Sequence, residues 1–271
     1  MTRLCKRFGV SRSGYYVFRD RGEPARIKED ELLFRQVETI FEQSNETYGS
    51  PRIHMELRAQ GIYVAKKRVE RLMRENGLKA RSVRVYRRVP GAHKRFTSIK
   101  NIRRNVPAPS GVDQQWVADL TYLKVGVKFM YLAVVLDLYS RKIIGWSFGK
   151  NKTAQLTKSS LMMAIRNRKP MPGVIFHTDR GAEYRSEVIQ DVLKRYKIIP
   201  SMNRPGQCTD NAEMESFFHS FKTDEIAGKT FKNESALRQR VQKYMTYFYN
   251  RKRRHSSLNY KTPFEYEMMV A

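Results

Sequence analysis

The sequence predicts an α/β protein, a mixed five-stranded sheet with helices on both faces, preceded by an all-α basic region. Three observations predict it. Before residue 80 the apolar residues recur at helical spacing and the segments close on Gly9, Gly61 and Gly77. Residues 115–149 hold three β-rich runs, QWVADLTYLK, KFMYLAVVLDLYS and KIIGWSFGK, separated by short turns. Beyond them helix and strand patterns alternate, which adds strands to a sheet covered on both sides.

The helical region is justified in chain order. A short helix runs to Phe8, Gly9 turns, and Ser11 caps a second helix through Phe18; this pair, 1–24, reads as half of a helix-turn-helix. Residues 25–80 read as a helical DNA-binding domain. Its first helix carries a stripe of Leu32, Leu33, Val37, Ile40 and Phe41. Ser50 is placed as the N-cap of the next, with Pro51 at the first helical position and Ile53 and Leu57 inward. A helix over 65–76 turns Val69, Leu72 and Met73 inward and Lys66, Lys67, Arg68, Arg71 and Arg74 outward. Such a face suits phosphates and base edges in a major groove, although a solvated cationic face reads the same way.

Basic character continues through 81–110. Residues 66–104 hold 15 Lys and Arg against Glu70 and Glu75 alone. Tyr86 and Phe96 interleave, while Pro90-Gly91, Pro107 and Pro109 interrupt regular structure. This predicts an extended linker along a phosphate backbone. Within the core, 111–230, the three strands form an antiparallel meander with turns at Gly126 and Ser140-Arg141. A helix over 153–168, the strand VIFHTD, a helix over 186–196 and the strand IIPSM follow. The loop NRPGQCT leads into the helix carrying Glu215. A helical extension, 231–271, has Leu237, Val241, Tyr244 and Phe248 on the inner stripe of a helix over 235–251.

The formal charge is +27, from 53 Lys and Arg against 26 Asp and Glu in 271 residues. A field that large selects polyphosphate partners, a nucleic acid first among them, although a basic ribosomal component reads the same way. No apolar run approaches the roughly 20 residues of a membrane span, and no signal peptide is read at the start. Two cysteines, Cys5 and Cys208, are too few for a disulfide framework and fit a reducing cytoplasm. The five histidines show no zinc spacing.

Three acids carry the chemistry. Asp119 interrupts an apolar strand, where Asp is disfavoured. Asp179 ends another strand before Arg180-Gly181, a usual ligand position and also an ordinary turn residue. Glu215, with 35 residues between it and Asp179, edges the apolar arc of Met214, Phe217, Phe218 and Phe221. Lys222 lies two turns along, placed to hold a phosphate. Asp210 as N-cap would make Glu213 a capping-box residue, so that Glu213→Gln would cost at most about 1 kcal/mol and no activity. Converging carboxylates suit two Mg²⁺ ions, which together stabilise the attacking and leaving oxygens of a phosphodiester. Asp137 is the rival ligand, read as a turn or supporting acid.

The ordered set of motifs resembles the OrfB-type catalytic subunit of the insertion-sequence-three family of bacterial transposases, over nearly the whole chain. It comprises GVSRSGYY, YGSPRIHMELRAQGI with KKRVERLMRENGLKA, WVADLTYL, YLAVVLDLYSRKIIGWS, HTDRGAEY, DNAEMESFFHSFK and YNRKRRHSSLNYKTPFEYE. The resemblance implies an RNase H-like integrase core with Asp119, Asp179 and Glu215 as its DDE triad. It implies Mg²⁺ or Mn²⁺, cleavage at mobile-element ends and strand transfer by 3′-hydroxyl attack, on element and target DNA. It also implies a homo-oligomer on DNA, a nucleoid-associated place in a bacterial cytoplasm, and an upstream-frame product fused or associated. Retroviral integrases carry a His₂Cys₂ zinc domain where this chain has helix-turn-helix segments. A non-catalytic DNA-binding regulator and an RNase H-type nuclease are the competing readings.

Overall fold

Five strands form one sheet in the order β3-β2-β1-β4-β5. They are β1 (Gln115–Val125), β2 (Lys128–Asp137), β3 (Ile143–Gly149), β4 (Ile175–Thr178) and β5 (Ile199–Met202) in a computed structural model that describes residues 2–20, 24–81 and 98–270. The first three are antiparallel; β4 and β5 add in parallel with β1. The expected mixed sheet is therefore observed, meander first.

Strand alternation gives the sheet two cores. Val117, Leu132, Val134 and Leu136 face one side, where they meet α9 (Ala212–Phe221), α10 (Glu234–Lys243) and the chain after it. Trp116, Ala118, Val135 and Phe176 face the other, against α6 (Ala154–Arg168) and α8 (Glu187–Arg195). Gly145 on β3 lets α6 come close: a Cβ there would lie 2.2 Å from the Ser160 carbonyl oxygen. Thr153 caps α6, its side chain accepting from Leu156 N–H.

The chain divides into two compact units, Met1–Ala80 and Arg81–Ala271. The first holds α1 (Thr2–Arg7), α2 (Arg12–Asp20), α3 (Ala25–Gln43), α4 (Ser50–Ala59) and α5 (Lys66–Glu75). Ser11 Oγ accepts from Gly14 N–H at 3.0 Å, as an N-cap does. Leu33, Val37, Ile40 and Phe41 pack with Ile53, Leu57, Val69, Leu72 and Met73. Leu32, expected in that stripe, is 64% exposed, because it lies about 100° around α3 from Leu33. The N-cap of α4 is Gly49 rather than Ser50, so Ser50 is already helical. The extended basic linker, with Tyr86, Pro90-Gly91 and Phe96, falls mostly on 82–97, outside the described residues.

Three features of the core depart from the expected elements. A one-turn helix, α7 (Ala182–Arg185), precedes α8. The single helix expected over 235–251 widens into a π turn at Tyr244–Phe248 before α11 (Tyr249–Arg251). There the Tyr244 hydroxyl donates to Asp224 at 2.9 Å, and Arg253 pairs with the same carboxylate at 2.6 Å. Finally α12 (Pro263–Val270) follows, its Glu267 tied to Arg168 and Lys142.

Candidate active site

The register of β1 against β4 sets two of the three acids on neighbouring strands. Their last bridged pair is Ala118 with Thr178, so Asp119 and Asp179 each stand one residue beyond it. Both are half-buried: Asp179 follows the carboxyl end of β4, a usual place for a ligand crevice, and Asp119 stands level with it inside the longer β1, where the parallel pairing stops. Asp119 Oδ1 accepts from Leu120 N–H at 2.7 Å and Asp179 Oδ1 from Gly181 N–H at 2.9 Å. A side chain at position 181 would displace the carboxylates beside it. A Cβ there would lie 2.9 Å from Asp179 Oδ1 and 2.8 Å from Glu183 Oε2.

Glu215 arrives on α9. Asn211, the residue capping this helix, donates through Nδ2 to the Ala118 carbonyl at 3.1 Å, one residue from Asp119. Glu215 lies one turn further along the same helix face and is half-buried. Met214, Phe217, Phe218 and Phe221 are buried as expected, each large side chain contributing about 1.5–3 kcal/mol to holding α9 on the sheet. Lys222, just after α9, places Nζ 5.2 Å from the centre of the Tyr122 ring on β1.

Glu213 behaves differently from its sequence reading. The capping box does not form: Asp210 sits in the 3₁₀ turn Cys208–Asn211, and its carboxylate accepts from Arg204 and Asn101. Glu213 forms an ion pair with Arg103. Burial would raise the Glu213 carboxyl, but the Arg103 guanidinium holds it below the ordinary glutamate range. The two partners are 110 residues apart, so no local spacing could reveal them.

Two further groups went unnoticed in the sequence. Tyr184 on α7 is 2% exposed, and its hydroxyl has no hydrogen-bond partner. Burial pushes that hydroxyl far above its usual value, and the charges of Asp119 and Asp179 push it further, so both carboxylates bear on one buried atom. His177, two residues before Asp179, is buried between Ser201 Oγ and Asn203 Oδ1, 2.8 Å from each. An amide oxygen only accepts, which puts the imidazole proton on Nε2. Burial, helped by the Arg103 charge, pulls His177 down to about 4.

The donors suit a hard divalent cation: all three are carboxylates, and His177 is engaged elsewhere. Among the described residues no three His, Cys, Asp or Glu side chains are drawn close enough to hold an ion. Mutual repulsion of like charges opposes such a cluster when no cation lies between them. Asp137, the rival ligand, has both oxygens engaged in hydrogen bonds. It is fully buried and accepts from Ser140 N–H, Ser140 Oγ and Asp113 N–H, the turn role expected of it.

The five cations of α5 divide into two groups. Arg68 Nε donates to Asp30 Oδ1 at 2.6 Å and Arg71 pairs with the other oxygen of the same carboxylate. Lys66, Lys67 and Arg74 are exposed. The outward face read from the sequence is thus partly turned onto α3.

Comparison with known proteins places this geometry in a family. Residues 28–86 match the HTH-like domain family, and 109–208 and 196–263 match two integrase core domain families. The transposase InsF for insertion sequence IS3A of Escherichia coli (strain K12) is 39% identical over 269 residues, 97% of this chain and 92% of that protein. The chain belongs to the IS3-family transposases. The insertion element IS600 uncharacterized 31 kDa protein of Shigella sonnei is 35% identical over 260 residues, 96% of each chain. The HTLV-2 integrase catalytic core domain in complex with magnesium aligns at 19% identity and a TM-score of 0.43, covering 58% of this chain and 98% of that one. The fold of this IS3-family chain is an integrase core preceded by a helical HTH-like region. No helix among its described residues is long and apolar enough to cross a membrane.

Proposed function

We propose that this IS3-family chain binds the ends of a mobile DNA element, cleaves there and joins the end to target DNA by 3′-hydroxyl attack on a phosphodiester. Asp119, Asp179 and Glu215 are the catalytic and metal-holding residues in this reading. One observation supports it: the Ala118–Thr178 register sets Asp119 and Asp179 on neighbouring parallel strands, and Asn211, one turn before Glu215, bonds to the carbonyl next to Asp119. Two bound Mg²⁺ or Mn²⁺ ions would supply activation of the attacking oxygen and stabilisation of the leaving one. Asp119 would offer oxygens from within β1 and Asp179 from just past the end of β4, while α9 would supply Glu215. Lys222 holds a phosphate beside Tyr122, while Lys66, Lys67 and Arg74 hold duplex backbone at the helical unit. Arg68 and Arg71 reach DNA only by giving up Asp30. The working form is a homo-oligomer on DNA, fused to or associated with an upstream-frame product.

The test uses the full chain with Mg²⁺, target plasmid and a labelled duplex of the inverted repeat flanking its gene. Joined products are expected. Asp119→Asn, Asp179→Asn and Glu215→Gln are each expected to abolish joining while binding the duplex nearly as the unaltered chain does, since affinity comes from distributed phosphate contacts. Wild-type joining by any of the three sinks the triad. Binding without joining by the unaltered chain would leave a DNA-binding regulator instead.

A further inference from the structure

Residues 100–103, the stretch of chain shortly before β1, are fastened across the sheet edge to the start of α9. Met202 N–H donates to the Lys100 carbonyl at 3.2 Å, and Asn101 Nδ2 to Asp210 Oδ2 at 2.9 Å. Ser201 Oγ accepts from Ile102 N–H at 3.0 Å and Arg103 N–H at 3.3 Å, leaving its proton for His177 Nδ1. Arg103 then closes the strap with both ends of its guanidinium. Nη1 donates to the Asp210 carbonyl at 3.0 Å, and Nη2 pairs with Glu213. The two side chains of that pair are 18% and 19% exposed, so water screens them weakly.

The bonds meet where α9 begins. The opposite side of that same start is pinned by Asn211 to Ala118, beside Asp119. Glu213 and Glu215 differ by about 200° around the helix, so the strap grips one side while the acid faces the other. The apolar arc seats α9 on the sheet, and the two polar grips on opposite sides of its first turn narrow the rotation left to Glu215. A basic residue in a basic segment would ordinarily serve DNA, and Arg103 instead turns both terminal nitrogens of its guanidinium to α9 and the turn before it.

We propose that the 100–103 strap sets the rotation of α9, with Arg103 and Glu213 as positioning residues for Glu215. This rests on the assignment of Glu215 to the reacting centre. It reverses the expectation that Glu213→Gln would leave activity intact.

The experiment compares the full-length chain with Arg103→Ala, Glu213→Gln, Arg103→Lys and Asp119→Asn. Four quantities are read: the joining rate at saturating DNA, the affinity for the end duplex, the thermal midpoint, and amide exchange across 212–216 in free protein. Arg103→Ala and Glu213→Gln are expected to slow joining about tenfold or more, the cost of a misplaced catalytic group. Duplex affinity stays unchanged, exchange across 212–216 rises, and Arg103→Lys, which keeps the charge, recovers part of both losses. Unchanged exchange and joining in both single variants overturn the proposal. So does a fall in affinity and midpoint together with no recovery in Arg103→Lys, which marks general destabilisation. Wild-type joining by Asp119→Asn would remove the reaction assigned above, and the exchange data would still decide whether the strap holds α9.

Discussion

At the scale of single residues, Gly181 shows how closely the surroundings of Asp179 are built. Its φ is an ordinary −58°, so glycine is not required there by backbone conformation. Its surroundings matter instead: an alanine methyl would press on the Asp179 carboxylate and on Glu183 and push one or both aside. Gly181→Ala is therefore expected to leave the thermal midpoint almost unchanged and to cut joining on the order of ten- to a hundredfold by shifting Asp179. Joining rate and midpoint, measured on the same preparation, check it; unaltered joining would mean that the carboxylate has slack. The Asp224–Arg253 pair is the opposite kind of residue-scale constraint. It is nearly inaccessible, and removing one partner strands a buried charge, typically a loss of about 3–5 kcal/mol.

Between elements, the helical unit depends on Asp30 as a hinge pin joining α3 to α5. Hydrogen bonding from Arg71, partly offset by burial and joined by Arg68, holds its carboxyl below the ordinary aspartate range. The sign follows directly. A depressed folded-state pKa contributes stability above the unfolded value of about 4, and that contribution is lost as pH falls through the folded one. Asp30→Asn is expected to lower the midpoint of helix unfolding at pH 6, and the gap to the unaltered chain is expected to close towards pH 3. Circular dichroism melts across that range test it, and a gap independent of pH would mean that the pair adds nothing through charge. The same interaction explains a partial misreading. Helical spacing correctly turned Lys66, Lys67 and Arg74 to solvent, but nothing within 65–76 announces that an acid on another helix takes Arg68 and Arg71.

Across the whole molecule, what the sequence revealed was what local periodicity and chemistry determine. Strands β1 to β5 showed as β-rich runs between turn residues, and Asp119 and Asp179 stood out as acids where strands are otherwise apolar. The buried aromatic arc of α9, with Glu215 half-buried at its edge, followed from helical spacing. The start of that helix was misjudged because Asp210 and Glu213 satisfy a capping spacing that Arg204, Asn101 and Arg103 override. Tyr184 and the strap were invisible for the same reason: their significance lies in neighbours supplied by other parts of the chain.

The sheet order also fixes a sequence of events in time. β1 meets β2 across the two-residue turn Gly126-Val127, but its partnership with β4 joins Ala118 to Thr178, 60 residues later. Closing the longer loop costs more chain entropy before any contact repays it, so the meander is expected to form first and β4 to dock late. Val134→Ala is then expected to slow refolding, whereas Phe176→Ala mainly speeds unfolding. Stopped-flow refolding of the two variants reads this directly, and the reverse pattern would put β4 in the nucleus. A chain still emerging from the ribosome would thus hold Asp119 in ordered structure well before Asp179 and Glu215 arrive. Until β4 docks, the emerging chain would lack the second of the carboxylates proposed to hold metal.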